Sequence, residues 1–123
     1  MSDFKVMTME QIEAVAAKHN CSVVVAKPNE LQFDLDEIGD RKKLQDFVDD
    51  RISQAYKVIS VEFWDSKSGN RHAVVTLESE LPTAERIALQ AMGGSDPIRE
   101  FAALQCHKAG SPHPILLLKP ISR

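Results

Sequence analysis

Two aspartates one residue apart, Asp34 and Asp36, stand in a segment that alternates strictly. Leu31, Phe33 and Leu35 are apolar, while Gln32, Asp34 and Asp36 between them are polar. A period of two marks a strand with one buried face, so both carboxylates leave it on the same side. Paired oxygen ligands at that spacing suit a hard divalent cation. Mg²⁺ is commonly held by one or two carboxylates, with water and substrate phosphates completing its shell. The segment from Arg71 to Glu78 alternates in the same way, with Ala73, Val75 and Leu77 inward and His72, Val74 and Thr76 outward. Val58 to Trp64 reads as a further strand with Ile59, Val61 and Phe63 on its inner face, which turns Glu62 outward. If these strands are neighbours, Asp34, Asp36, Glu62 and His72 share one surface, with Lys67 and Arg71 at its rim. A pair of metal ions there could stabilise the attacking and leaving oxygens of a nucleotidyl transfer.

A blander account stands beside that one. The chain holds nine aspartates, so an Asp-x-Asp pair arises readily by chance, and acids at a strand end often do no more than solvate it. A histidine on a sheet surface likewise needs no ligand. The placement of all these groups on one face is what gives the chemical reading its weight.

The elements that would position them follow from local patterns. Thr8-Met9-Glu10-Gln11 is a capping box, and Ile12, Val15, Ala16 and His19 continue it as a helix over about residues 8–19. Cys21 to Lys27 is short and β-branched, Pro28-Asn29-Glu30 is turn chemistry, and the pair is expected to form a hairpin with residues 31–36. Asp40 is expected to cap a helix whose stripe is Leu44, Phe47, Val48, Ile52 and Ala55. Its acids Asp46, Asp49 and Asp50 read as a solvated face. Ser66 to Asn70 is a hairpin loop. Pro82-Thr83 opens a helix lined by Ala84, Ile87, Ala88, Ala91 and Met92, and Gly93-Gly94 interrupts it. Asp96-Pro97 restarts it with Ile98, Phe101, Ala102 and Gln105, because Asp caps well and Pro suits the first helical turn. Ile115 to Lys119 is the last strand.

From residue 31 the order is therefore βαββαβ. Right-handed crossovers make this a ferredoxin-like, RRM-like α+β core, a four-stranded antiparallel sheet with two helices on one face. Residues 31–119 form that core, residues 1–30 add a helix and a strand, and the whole of 1–123 is read as one domain. The opposite face of the sheet is expected to stay open and to carry the site.

Composition narrows the classes. With 43% hydrophobic and 27% charged residues the chain is an ordinary globular sequence. A net charge of -3 argues against a protein that coats nucleic acid through a broad basic surface. A plain single-strand binder is further disfavoured by the low aromatic content, 6%. Cys21 and Cys106 are too few for a disulfide scaffold and read as reduced thiols. The N-terminus shows no basic, then apolar, targeting pattern, so a cytoplasmic location without membrane contact is expected. Cys106, His107 and His113 lack any standard zinc spacing. Ser95-Asp96-Pro97 at a helix start is more readily a cap than an anion site.

Two further stretches carry a family likeness. Phe33-Asp34-Leu35-Asp36, followed by Ser68-Gly69-Asn70-Arg71-His72, resembles the first two motifs of archaeo-eukaryotic-type primases and primase-polymerases. The likeness spans about residues 31–118, and the part from Arg71 to Glu100 also looks like small uncharacterised proteins of phages and bacteria. The resemblance implies a minimal polymerase palm in which Asp34 and Asp36 hold Mg²⁺ or Mn²⁺ and His72 meets a nucleotide phosphate. Lys67, Ser68 and Arg71 would then cradle that nucleotide or nucleic acid. The family's third acidic residue, on a later strand, has no match after His72; Glu62 is its geometric stand-in as a metal ligand. A palm reduced in catalysis fits that departure as well as an active nucleotidyltransferase does. The alternative from another class is a non-catalytic interaction module, binding a partner protein or its own copy through the sheet around Trp64.

Overall fold

A computed structural model of the chain describes residues 6–37, 39–65 and 71–121. Helix α1 (Met9–Lys18) starts on the capping box: Gln11 N–H donates to Thr8 Oγ1, and Thr8 N–H donates to Gln11 Oε1 at 2.8 Å. Strands β1 (Cys21–Val25) and β2 (Glu30–Leu35) follow. Helix α2 (Asp40–Phe47) runs on through a π-helical turn, Val48–Ile52, into the short α3 (Ser53–Ala55). The remaining elements are β3 (Val58–Asp65), β4 (Arg71–Leu77), α4 (Thr83–Met92), α5 (Pro97–Lys108) and β5 (Leu116–Pro120). Asp40 proves to be the first residue of α2 rather than its cap. Gly39 holds the cap position, and the Asp40 carboxylate instead accepts the Glu37 N–H. Asp96 does cap α5, accepting from Ile98 N–H at 2.9 Å.

The fold is α+β with antiparallel sheets. One sheet runs β2-β4-β3, with β4 central, and the pairs Leu31↔Val75 and Phe33↔Ala73 set its register. The alternation read from the sequence holds in β2 and β4. Leu31, Phe33, Leu35, Ala73, Val75 and Leu77 are buried against Leu44, Val48 and Ile52. Each of these side chains except Ala73 contributes roughly 1.5–3 kcal/mol by leaving water. In β3 the expected inner face holds at Val61 and Phe63 but not at Ile59. The register shifts between Val58 and Ser60, so Val58 and Val61 pack on the core while Ile59 is 59% exposed. A bulge of one residue is enough to reverse a side chain's face.

The expected fourth strand is not in this sheet, and the expected hairpin of residues 21–27 with 31–36 does not form. Instead β1 pairs with β5 as a separate two-stranded sheet, Val23 opposite Leu118 and Val25 opposite Leu116. The reason lies on the outer edge of β2. Gln32 N–H donates to Gln90 Oε1 at 2.9 Å, and its carbonyl accepts from Arg99 Nη1 at 2.9 Å. Asp34 N–H donates to Ser95 Oγ at 2.9 Å, and its carbonyl accepts from Asp96 N–H at 2.8 Å. All four backbone groups that an added strand would need here are already taken. Leaving them unpaired would cost roughly 1–3 kcal/mol each.

That edge also explains why α4 and α5 are turned. Arg86, Gln90 and Glu100 face inward, and Ile87 and Ala103 are the buried apolar residues beside them. The expected apolar stripe of Ala84, Ala88, Ala91 and Met92 faces solvent. In α5 the expected pair Ile98 and Phe101 points outward, at 79% and 63% exposure. A strand edge calls for donors and acceptors, and the helices present them.

The second sheet face is covered rather than open. Gln32, His72 and Val74 are buried on it. Gln32 Nε2 donates to the Val24 carbonyl, and the Leu118 carbonyl meets the His72 ring, so β1 and β5 reach over its middle.

Gly93, at the end of α4, is held by space rather than by backbone angle, since its φ is -82°. A Cβ there would lie 2.5 Å from Phe33 Cε2, 3.1 Å from Phe47 Cδ2 and 3.3 Å from Leu44 Cδ1. Gly93→Ala is expected to destabilise the fold by about 1–3 kcal/mol through overpacking. Urea unfolding of the variant checks this, and a midpoint equal to the wild type's would show that the ring can yield.

Candidate metal centre

The backbone bond from Asp96 N–H to the Asp34 carbonyl draws the link between α4 and α5 onto the end of β2. Asp34 projects from β2, Asp36 follows two residues later, and Asp96 arrives from that link. One carboxylate oxygen of each lies within 4.8 Å of the others. Asp34 and Asp96 are half-buried and Asp36 is exposed. Like charges this close resist ionisation. The Asp36 carboxyl is accordingly pushed above its ordinary value, by partial desolvation first and then by Asp96, Asp34, Asp40 and Glu37.

His72 sits directly opposite Asp34 in the β2–β4 register. The Leu118 carbonyl can only accept, so His72 Nδ1 carries a proton and donates to it at 3.1 Å. His72 Nε2 lies 3.4 Å from Asp34 Oδ1, a contact that attracts only when the ring carries both protons and that is not aligned as a hydrogen bond. That oxygen is buried and accepts no hydrogen bond from the described residues. Both nitrogens of His72 thus face protein groups. Trp64 stands edge-on to the imidazole at 5.8 Å, and Lys119 Nζ lies 4.9 Å above the indole.

The other residues singled out from the sequence are distributed differently. Glu62 pairs with Lys119 at 3.6 Å and is not among the gathered acids. Arg71 lies opposite Leu35, at the phase of Ala73 and Val75, and therefore leaves β4 on the face opposite His72. It approaches Asp65 at 3.7 Å. Lys67 and Ser68 lie outside the described residues. Burial pushes the Cys106 thiol up, which opposes a thiolate role there. Cys106, His107 and His113 form no metal-ligating group among the described residues.

Asp96 was legible in the sequence only as a cap. Its capping role is real, and nothing in the spacing of residues 34 and 96 announces that the same side chain meets two other acids. The signal that existed was indirect. Gly93-Gly94-Ser95 breaks the helix where a tight return to the sheet is needed, and Gly94 takes the left-handed φ of 96° there.

Comparison with family models, with curated proteins and with solved structures yields no match to this chain. No helix of the described residues is long and apolar enough to cross a membrane.

The raised value of Asp36 fixes a sign. The folded protein holds that proton more tightly than the unfolded chain does, so ionising Asp36 lowers stability. The loss sets in as pH rises from the unfolded value, 3.8, through the higher folded value, and it is recovered on acidification. In chelator, Asp36→Asn is expected to lack this component: its stability relative to the wild type should rise across that window and then level off. Urea titrations at a series of pH values test this. A difference that stays flat, or falls, would contradict it.

Proposed function

We propose that Asp34, Asp36 and Asp96 form a divalent-metal centre, for Mg²⁺ or Mn²⁺, that receives the phosphates of a nucleotide. The observation that carries this reading is the convergence of three carboxylates, one with a buried oxygen that accepts no hydrogen bond among the described residues. A hard cation would offset the repulsion among the acids and give this oxygen, which has only the nearby His72 ring, a direct ligand contact. Asp96 takes the third-ligand role that the sequence assigned to Glu62. His72 is then a positioning residue behind Asp34, its own orientation fixed by the Leu118 carbonyl. When bound, the metal would polarise a phosphate oxygen. This chain's acids would orient it.

The primase-palm likeness and a ferredoxin-like plan supply the reason to expect nucleotide chemistry, with the three strands β2, β4 and β3 as the palm. In this reading the fourth strand has left the sheet to pair with β1. Nucleotidyl transfer is the activity to seek, and a palm that binds without turnover is the reduced form of the same reading.

Mn²⁺ with nucleoside triphosphate is expected to raise the melting temperature of the wild type. At a ligand concentration about 100-fold above Kd the stabilisation is about 2.7 kcal/mol. Asp96→Asn keeps a helix-capping side chain and should fold, yet lose most of that rise, as should Asp34→Asn. An equal rise in both variants, or none in the wild type, rejects the centre.

A second reading, a module that docks on a partner protein or its own copy, is favoured by the outward Ile98 and Phe101 of α5. With Leu104 they stand exposed at three-residue steps along α5, and a contiguous apolar patch of that kind marks a contact surface. Trp64 is partly covered and is a smaller contributor to such a surface. In this reading Phe101→Glu lowers the molar mass seen by light scattering at high concentration, or abolishes pull-down of a partner. A wild-type chain that stays monomeric and captures nothing removes this reading.

A further inference from the structure

The chain is acidic overall, yet three of its cations gather in one place. A cleft of about 550 Å³ is lined by Arg41, Lys42, Gln45, Phe63 and Arg71. It lies between α2 and the ends of β3 and β4, on the sheet face opposite the acid cluster. From this cleft we infer a second site, one that takes phosphate oxyanions and needs no metal.

Arg41 is the cation of the cleft held against a ring. Its guanidinium lies over the Phe63 ring, 4.3 Å from the centroid. Stacking holds the planar group in place while leaving its in-plane N–H donors free to point outward. Among the described residues Arg41 forms no ion pair. A stacked guanidinium in that state is preorganised for a bidentate oxyanion.

The two neighbouring cations have partners that an anionic ligand can replace. Lys42 meets Asp46 at 3.0 Å, one helical turn away, with both side chains exposed. Arg71 meets Asp65 at 3.7 Å, and Asp65 is 72% exposed. Exposed pairs of this kind contribute about 0–1 kcal/mol, so exchanging them for phosphate costs little. Gln45 is held toward Asp49 by its Nε2 donor at 3.1 Å, which leaves its amide oxygen as the polar group less suited to an anion. The favourable contacts therefore come from Arg41, Lys42 and Arg71. Three cations match the charge of a phosphate monoester or a polyphosphate better than that of a single carboxylate.

The site is independent of the metal centre in chemistry though adjacent in the fold. Arg71 is the β4 partner of Leu35, which stands between Asp34 and Asp36 in the chain. Strand alternation sends Asp34 to one face and this arginine to the other.

The experiment is a calorimetric titration in EDTA, so that failure of the metal centre leaves its outcome untouched. The probes are tripolyphosphate, ATP and a short single-stranded oligonucleotide. At least one is expected to bind the wild type, with affinity that falls as salt rises. Arg41→Gln and Arg71→Gln are each expected to weaken binding by about tenfold, the loss of one charge-assisted contact. Arg41→Lys should weaken it too, because an ammonium cannot stack and fork in the same way. Lys18→Gln, in α1, removes equal charge elsewhere and should leave binding unchanged. Equal affinity for tripolyphosphate and ATP identifies the phosphate chain as sufficient; tighter ATP adds a base contact, and tighter oligonucleotide points to a nucleic-acid backbone. Failure of all three probes to bind overturns the inference. So does binding that all four variants share, or that Lys18→Gln weakens as much as Arg41→Gln does.

Discussion

The outer edge of β2 is where the structure is decided. A strand edge offers N–H and C=O groups that must be paired once they leave water. The common solution is another strand, and this chain uses side chains. Gln90, Ser95 and Arg99 reach the edge, and Glu100 ties them together behind it. Glu100 is buried, and it accepts from Gln90, Ser95 and Arg99 at once. Removing one partner from such a group typically costs about 3–5 kcal/mol, since an uncompensated charge remains inside. A half-made network would be worse than an apolar seam. The complete one holds α4 and α5 in a single rotational setting.

The displaced strand and the gathered acids both follow from that choice. With the edge closed, β5 has no ladder to join on β2 and pairs with β1 instead. The β1–β5 ribbon then lies over the sheet, where Leu118 fixes the His72 ring and Lys119 covers Trp64. The same closure brings Asp96 N–H to the Asp34 carbonyl, and its carboxylate comes with it. Asp96 meets the other acids because this backbone hydrogen bond places it, although Asp36 is disfavoured as a carboxylate there, by desolvation first and then by its acidic neighbours. Strain of this electrostatic kind persists where surrounding bonds over-determine the geometry.

How much of this could be read in the chain depends on whether its cause is local. The faces of Leu31, Phe33 and Leu35, and of Ala73, Val75 and Leu77, were legible because strict alternation admits one buried face. The cap at Asp96 and the capping box at Thr8 were legible because their partners lie two and three residues away. Ile59 was not, since a bulge between Val58 and Ser60 reverses its face without altering the apolar pattern. The inward face of α4 was not either. Ala84, Ala88 and Ala91 form a small-residue stripe that packing does not require, whereas Arg86 and Gln90 are buried because carbonyls and an N–H from elsewhere receive them. Residue type suggested the first set. The position of β2, 58 residues distant, explains Gln90, and the carbonyls of Lys27 and Leu81 explain Arg86.

The two charge clusters raise a last question, which is how acids and bases this near in the chain avoid cancelling each other. Asp34 and Asp36 flank Leu35, and Arg71 is the cross-strand partner of Leu35. In water such groups would pair. The pleat prevents it, because alternation sends residues 34 and 72 to one side of the sheet and Arg71 to the other. Between them lies a layer that includes Phe33, Leu35 and Ala73, all buried. Medium of that kind screens poorly, yet it also separates the groups physically, so neither cluster can collapse onto the other. Asp34 stays beside His72 on one side, while Arg71 and Lys42 keep to Asp65 and Asp46 on the other. In the proposed reading a cation would serve the acids, and an oxyanion would serve the stacked Arg41 and its neighbours. The sheet therefore holds the two clusters apart, as two proposed sites for ligands of opposite sign require.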